Sequence, residues 1–157
     1  MKKFLLLCIV SVIAACSPPY HERMFQPPDE MREIAKASFD QGLLLYNQKD
    51  YVSALPLFQK ATQLGDMKAS RYIGLMYLNG YGVEKDAIKS FRHFQISASG
   101  DITGQYWLAY LYENGIGTDK NLDQAIFWYQ QSAKRGDKIS QPAIDALKRL
   151  KVTHHPS

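Results

Sequence analysis

Two cysteines, four histidines and a scatter of carboxylates are the side chains in this sequence with chemistry of their own. A hydrolytic metal site needs imidazoles or thiolates at fixed helical or loop spacings. Neither H-E-x-x-H nor C-x-x-C occurs here, and no G-x-S-x-G presents a serine nucleophile. His21 falls in a proline-rich stretch, His154 and His155 in the last residues, and His93 at a helix packing position. Two glycine pairs, Gly80-Tyr81-Gly82 and Gly115-Ile116-Gly117, could in principle cradle a phosphate. No strand-like run precedes them and no Gly-Lys-Ser/Thr follows, so their recurrence 35 residues apart reads as turn chemistry. Asp101, Glu113 and Asp137 are loop and turn residues rather than a catalytic carboxylate cluster. The expectation is no catalytic residue, no metal and no cofactor.

The remaining reactive group is Cys16. Met1-Lys2-Lys3 supplies a positive start, and Phe4 to Ala15 is an apolar run. Twelve such residues are too few to cross a bilayer core, which takes about 20 in a helix. The layout is that of a cleaved export signal. Its ending, Ile13-Ala14-Ala15-Cys16, resembles the bacterial lipobox. That resemblance implies a Cys acylated on sulfur with palmitate-type chains, freed as residue one and usually acylated again on its new amine. Each buried CH₂ adds about 0.8 kcal/mol, so several chains anchor firmly where one is marginal. Ser17 stands where inner-membrane lipoproteins typically carry Asp, which implies the outer membrane, facing the periplasm.

The expected organisation is a signal peptide over 1–15, a lipidated Cys and tether over 16–30, a repeat domain over 31–151 and a disordered tail over 152–157. Cys8 leaves with the signal and Cys16 is taken by lipid, so no disulfide is expected. Losing Lys2 and Lys3 lowers the formal charge from +4 to +2, which argues against nucleic acid as a partner. Two Pro-Pro pairs in Ser17–Asp29 block a helix and suit a semi-rigid spacer. Its Tyr20, Met24 and Phe25 could pack on the first helices.

The rest repeats. Gly65-Asp66, Gly100-Asp101 and Gly136-Asp137 are spaced 35 and then 36 residues. Each follows a related phrase, beginning at Phe58, Phe94 and Tyr129. Ala69, Tyr72, Ile73, Met76 and Tyr77 follow one apolar helical face, as do Trp107, Leu108, Leu111 and Tyr112. Second helices are predicted near 51–63, 86–98 and 121–134, capped at the start by Asp50 in the first and Asn121 in the third. Each should be closed by its glycine in the left-handed region. Gly42, Gly74 and Ala109 fall at equivalent places, as close helix contact requires. Pro56 should kink its helix without ending it. A final amphipathic helix is expected at 139–150, with Ile139, Ala143, Ala146, Leu147 and Leu150 on one side and Lys148 and Arg149 facing solvent. The fold expected is all-α, a short right-handed α-solenoid of about three helix-turn-helix repeats with a C-terminal capping helix.

The first unit resembles a tetratricopeptide repeat, through Gly42, Ala54, Phe58 and Ala61. The second and third resemble the Sel-one-like repeat, through the turns Gly80-Tyr81-Gly82-Val83 and Gly115-Ile116-Gly117-Thr118 and the phrase Ala125-Ile126-Phe127-Trp128-Tyr129. Ser90 and His93 depart from that pattern, where Ala and Trp are usual. The resemblance implies an adaptor or assembly factor rather than an enzyme. Cysteine-rich relatives have been described as β-lactamases or penicillin binders, but this chain has neither their cysteines nor a Ser-x-x-Lys.

The resemblance also implies that the first helices line a concave groove. Its positions here are Lys36, Phe39, Leu43 and Tyr46, then Lys68, Arg71, Leu75 and Leu78, then Thr103, Tyr106, Tyr110 and Glu113. Aromatic and aliphatic side chains around a basic centre suit an extended or helical peptide with acidic character. The alternative is that several of these aromatics pack on neighbouring helices or under the tether. Three functions follow: an envelope-anchored periplasmic adaptor holding an unidentified protein or peptide, an immunity lipoprotein that neutralises an antibacterial effector, and a cell-wall enzyme or peptidoglycan binder.

Overall fold

The computed structural model describes residues 29–150, which form seven helices and, among those residues, no strand. In chain order they are α1 (Asp29–Asn47), α2 (Tyr51–Gln63), α3 (Met67–Asn79), α4 (Ala87–Ala98), α5 (Ile102–Asn114), α6 (Leu122–Ala133) and α7 (Gln141–Arg149). Three hairpins, α1/α2, α3/α4 and α5/α6, stack in sequence, and α7 closes the end against α6. The fold is the all-α repeat stack that the spacing predicts. Cys16, the signal and most of the tether lie outside the described residues, as does the tail.

Short polar side chains set the helix starts. Asp50, Asp66, Asp86, Asp101 and Asn121 each accept a bond from a backbone N–H in the turn that follows, so α2 to α6 all begin on a capped first turn. A cap of this kind is worth about 1 kcal/mol. Helix α7 begins differently. Ser140 makes no side-chain cap bond, and Asp137 instead accepts from the N–H groups of Ile139 and Ser140 in the turn before it.

The packing repeats as the sequence does. Phe58, Phe94 and Tyr129 are fully buried at equivalent positions of the second helices. A Cβ on Gly42 would sit 3.0 Å from the Phe58 ring, and one on Gly74 would sit 3.0 Å from Phe94. The small residues therefore admit the rings. Each ring then continues into the next hairpin: Phe58 stacks on Tyr72 at 5.0 Å, and Phe94 on Trp107 at 5.7 Å. Burying a phenylalanine stabilises by about 1.5–3 kcal/mol, so this column accounts for much of the core.

The glycine pairs are turns that seat one hairpin on another. Gly80 and Gly115 end α3 and α5 in the left-handed region, and Gly82 and Gly117 are left-handed as well. A Cβ on Gly82 would lie 2.8 Å from Tyr51 Cβ, and one on Gly117 would run into the Ala87 carbonyl oxygen. Each turn thus presses on the first turn of the preceding hairpin's second helix, where only glycine fits.

Several expectations need correction. Gly65 and Gly136 are left-handed after α2 and α6, but Gly100 is not: α4 ends at Ala98 with Ser99 as its C-cap, and the chain turns into Asp101 through bonds from Gly100 and Asp101 N–H to the Ser97 carbonyl. Helix α1 starts at Asp29, two residues inside the expected tether, because both Pro-Pro pairs lie before it. Helix α7 runs over 141–149, so Ile139 is in the preceding turn and 52% exposed rather than on the apolar side. Helix α2, by contrast, continues through Pro56 as expected. Val52 and Pro56 are both exposed, so water can satisfy the carbonyl that the missing N–H leaves.

Candidate functional site

Counting from Gly42, Gly74 and Ala109 puts the first helices in one register, and the expected groove residues fall into rows across it. Phe39, Arg71 and Tyr106 share one row; Leu43, Leu75 and Tyr110 share the next; Tyr46, Leu78 and Glu113 share a third. All nine are half-buried. What each contributes depends on its neighbours.

The aromatic members are partly absorbed by packing. Phe39 lies 5.8 Å from the Tyr72 ring and 5.9 Å from Phe58. Tyr46 meets Tyr51 and Tyr72, each at 5.1 Å. Burial, with other phenols around it, pushes the Tyr46 hydroxyl up to about 12, so it stays a neutral hydrogen-bonding group. Tyr106 contacts Trp107 and Tyr129.

Two charges expected in the groove are spent inside the fold. Arg71 Nε donates to Asp101 Oδ2 at 2.6 Å, with both side chains largely shielded from water, and its guanidinium lies 4.7 Å over the Tyr72 ring. Glu113 accepts from the Tyr129 hydroxyl at 2.7 Å and from both Arg149 nitrogens, at 2.6 and 2.8 Å. The Arg149 fork holds the Glu113 carboxyl below its ordinary range, and the Tyr129 hydroxyl is pushed up by burial and by the carboxylate beside it. The expected basic centre is therefore narrower than the sequence suggests. Among the described residues Lys68 has no ion pair and is exposed, Lys36 is exposed and bonded to Asp40 at 3.0 Å, and Arg71 is neutralised.

The surface left for a ligand runs along Leu43, Leu75 and Tyr110. Leu75, Leu78, Trp107 and Tyr110 are half-buried against the core of Phe91, Phe94, Leu108 and Leu111, where the second and third hairpins meet. Lys68 and Thr103 edge the surface at one register position, and Asn79 and Asn114 at another. Sequence reasoning missed Trp107 as a neighbour of this surface and Asp101 as the partner of Arg71. The pairing did leave a signal, since an arginine occupies a position that is aromatic in the other two units.

A serine–histidine contact also appears, between Ser70 Oγ and His93 Nδ1 at 3.2 Å. Ser70 is fully buried and its hydroxyl donates to the His93 carbonyl oxygen at 3.0 Å, so the proton is committed and no substrate reaches the oxygen. Tyr77 stacks on the imidazole at 5.8 Å, and burial holds His93 below its ordinary pKa. The pair ties α3 to α4. Among the described residues, no group of three or more His, Cys, Asp or Glu side chains is placed to hold a metal. No helix there is long and apolar enough to cross a membrane.

A stack of helical hairpins with a half-buried row along its first helices defines the class: an α-solenoid of helix-turn-helix repeats. The chain belongs to the Sel1 repeat family, whose model matches residues 40–66, 68–101 and 102–137. Unit one, which resembles a tetratricopeptide repeat in its sequence, is thus matched with the other two. Two solved structures are similar. A Sel1 repeat protein from Oxalobacter formigenes superimposes with a TM-score of 0.69 at 29% identity, over 81% of this chain and 54% of that one. The c5321 protein, a protective antigen present in uropathogenic Escherichia coli strains and displaying an SLR fold, gives 0.59 at 28% identity, over 80% of this chain and 27% of that one. The chain therefore spans about half the length of the first and about a quarter of the second. No curated protein sequence matches it significantly. Sel1 repeat proteins are generally protein-interaction modules.

Proposed function

We propose that this protein is an envelope-anchored adaptor that holds a partner protein or peptide along its first helices, tethered to the membrane through acylated Cys16. The observation that carries the binding reading is the row of Leu43, Leu75 and Tyr110, large side chains left half-buried at one register position of all three first helices. The lipobox-like Ile13-Ala14-Ala15-Cys16 supports the anchor, and the Ser17 that follows supports the outer membrane.

The test is a crosslinking pull-down from the native envelope with tagged full-length protein. Its control is Lys68→Glu with Tyr110→Ala, chosen because neither side chain makes an ion pair or hydrogen bond among the described residues. A partner captured by the wild type and lost in the variant supports the reading. One retained by both places the interface elsewhere, and protection from a co-delivered toxin would instead indicate an immunity role. Cys16→Ala is expected to move the protein from the membrane pellet to the soluble fraction; unchanged fractionation would refute the lipid anchor.

A further inference from the structure

Counted from their caps Asp50, Asp86 and Asn121, the second helices bury the same positions. The fourth, eighth and eleventh residues of α2 are Ala54, Phe58 and Ala61, and their equivalents in α4 and α6 are buried too. At about 100° per residue, the second, sixth and tenth residues point the other way. Those positions hold Val52, Pro56 and Lys60, then Ile88, Arg92 and Ile96, then Asp123, Phe127 and Gln131. All but the half-buried Gln131 are exposed, Val52 at 71% and Ile88 at 57%. A helix face turned to water ordinarily carries polar residues, yet five of these nine are apolar.

Charge on this side is one-sided as well. Over their whole length the second helices carry Lys60, Lys89 and Arg92 against the carboxylate of Asp123. Lys89 pairs with Asp86 at 3.3 Å, whereas Lys60 and Arg92 have no ion pair among the described residues. Apolar side chains among unpaired cations are the composition of a helix face that lies in the interface of an anionic bilayer. A second copy of this chain would set the same cations against one another, and protein interfaces are ordinarily depleted in lysine.

The preceding chain brings such a surface within reach. Helix α1 begins at Asp29, and its Arg32 and Ala35 line one cavity with Leu64 and Gly65, so the chain enters beside the end of α2 that carries Lys60. The twelve residues from Ser17 to Pro28 reach at most about 40 Å. An acylated Cys16 would hold the row at a local concentration on the order of millimolar, where a contact too weak to form from solution is populated.

We infer, building on the proposed anchor, that the outward row of the second helices docks on the anionic phospholipid surface of the membrane that holds Cys16. Val52, Ile88, Ile96 and Phe127 enter the headgroup layer, and Lys60 and Arg92 meet its phosphates. Phe58 packs against Gly42 of α1, on the side of α2 opposite the row. Docking therefore turns the first helices, with Leu43, Leu75 and Tyr110, away from the bilayer and towards a partner.

The test reads Trp128, which lies 5.2 Å from Phe127 and is the one tryptophan left in Trp107→Phe. Full-chain Trp107→Phe protein, isolated from cells as processed, is mixed with vesicles of brominated phosphatidylcholine. One set also contains phosphatidylglycerol, and the other contains only phosphatidylcholine. Quenching of Trp128 should be about threefold stronger with phosphatidylglycerol and should weaken at high salt. It should fall about threefold in Ile88→Ser/Arg92→Glu and in Val52→Ser/Lys60→Glu, each checked for unchanged circular dichroism. Lys68→Glu, on a first helix, should leave it unchanged. Quenching that is absent, equal in both vesicles, indifferent to both double variants or equally sensitive to Lys68→Glu would overturn the inference. So would a protein crosslinked to wild type and lost in Ile88→Ser/Arg92→Glu when no quenching is seen. Sedimentation with the vesicles reads the anchor separately. Wild type that sediments without quenching removes the docking and keeps the anchor. Cys16→Ala that sediments and is quenched like wild type removes the anchor and keeps the docking.

Discussion

The two junctions between hairpins are built at the same positions from different chemistry. Between the first and second, Phe39 packs on Tyr72, and Ala61 of α2 and Ala69 of α3 occupy the contact. Between the second and third, Arg71 replaces the phenylalanine and Ser97 and Gly104 replace the alanines. There Asp101 caps α5 through Gly104 N–H, accepts from Ser97 Oγ at 3.3 Å and pairs with Arg71. The equivalent Asp66 only caps its helix, bonding to the N–H groups of Lys68 and Ala69. One repeat position can thus join hairpins by apolar area or by a shielded polar network, provided that all of its neighbours change together. Gly104 shows how close the approach is: a Cβ there would collide with Ser97 Oγ and would lie 2.7 Å from Ser97 Cβ, so this junction requires the glycine.

The largest effect is expected from Arg71→Met. It leaves Asp101 shielded and without its cation, which should destabilise by about 3–5 kcal/mol, whereas Arg71→Met with Asp101→Asn should recover much of the loss. In the first junction Phe39→Leu should cost less than about 1.5 kcal/mol, since it conserves apolar character. Urea titration of the three variants checks this. Equal losses at Arg71 and Phe39 would mean that the polar network contributes nothing distinctive.

Next comes Gly104→Ala, with an expected loss of about 3 kcal/mol from overpacking. Adding Ser97→Ala should return only a minor part of it, because the Ser97 Cβ would still lie 2.7 Å from the new methyl. The converse change in the first junction, Ala69→Gly, should cost only the helix propensity difference, about 1 kcal/mol. Thermal melts that rank Ala69→Gly as the more damaging would reverse the comparison.

The smallest effect concerns the C-terminal cap. Glu113 has a depressed pKa in the fold and an ordinary one, about 4.5, when unfolded. Its pairing with Arg149 therefore stabilises fully above that ordinary value, and the contribution is lost as the pH falls through the depressed one. Arg149 is 58% exposed on its side chain, so screening keeps the pair to about 1 kcal/mol. Both tryptophans, Trp107 and Trp128, are in the third hairpin. Their fluorescence during thermal melts should report a loss of stability below pH 4.5 that Arg149→Gln flattens. An unchanged acid profile in Arg149→Gln would show that the fork adds nothing.

Much of this architecture is written in local pattern. Helical periodicity, Asp or Asn before each second helix, glycine pairs at a 35-residue spacing and small residues facing rings are each set within one unit, so the sequence alone determined the hairpins, their number and their caps. Resemblance placed the groove on the first helices. The failures were at contacts between units. Nothing in the spacing of Arg71 and Asp101, or of Glu113 and Arg149, says that they meet, because their pairing depends on how one hairpin settles on the next. The free basic centre expected around Arg71 was therefore an overestimate. Gly100 was misjudged as well: the chain leaves α4 through bonds from Gly100 and Asp101 N–H to the Ser97 backbone carbonyl, which does not use a left-handed glycine. Local periodicity follows from the 3.6-residue helix and is legible in one dimension. Which charges stay free to meet a ligand depends on partners 30 or more residues away, and only the packed stack decided that.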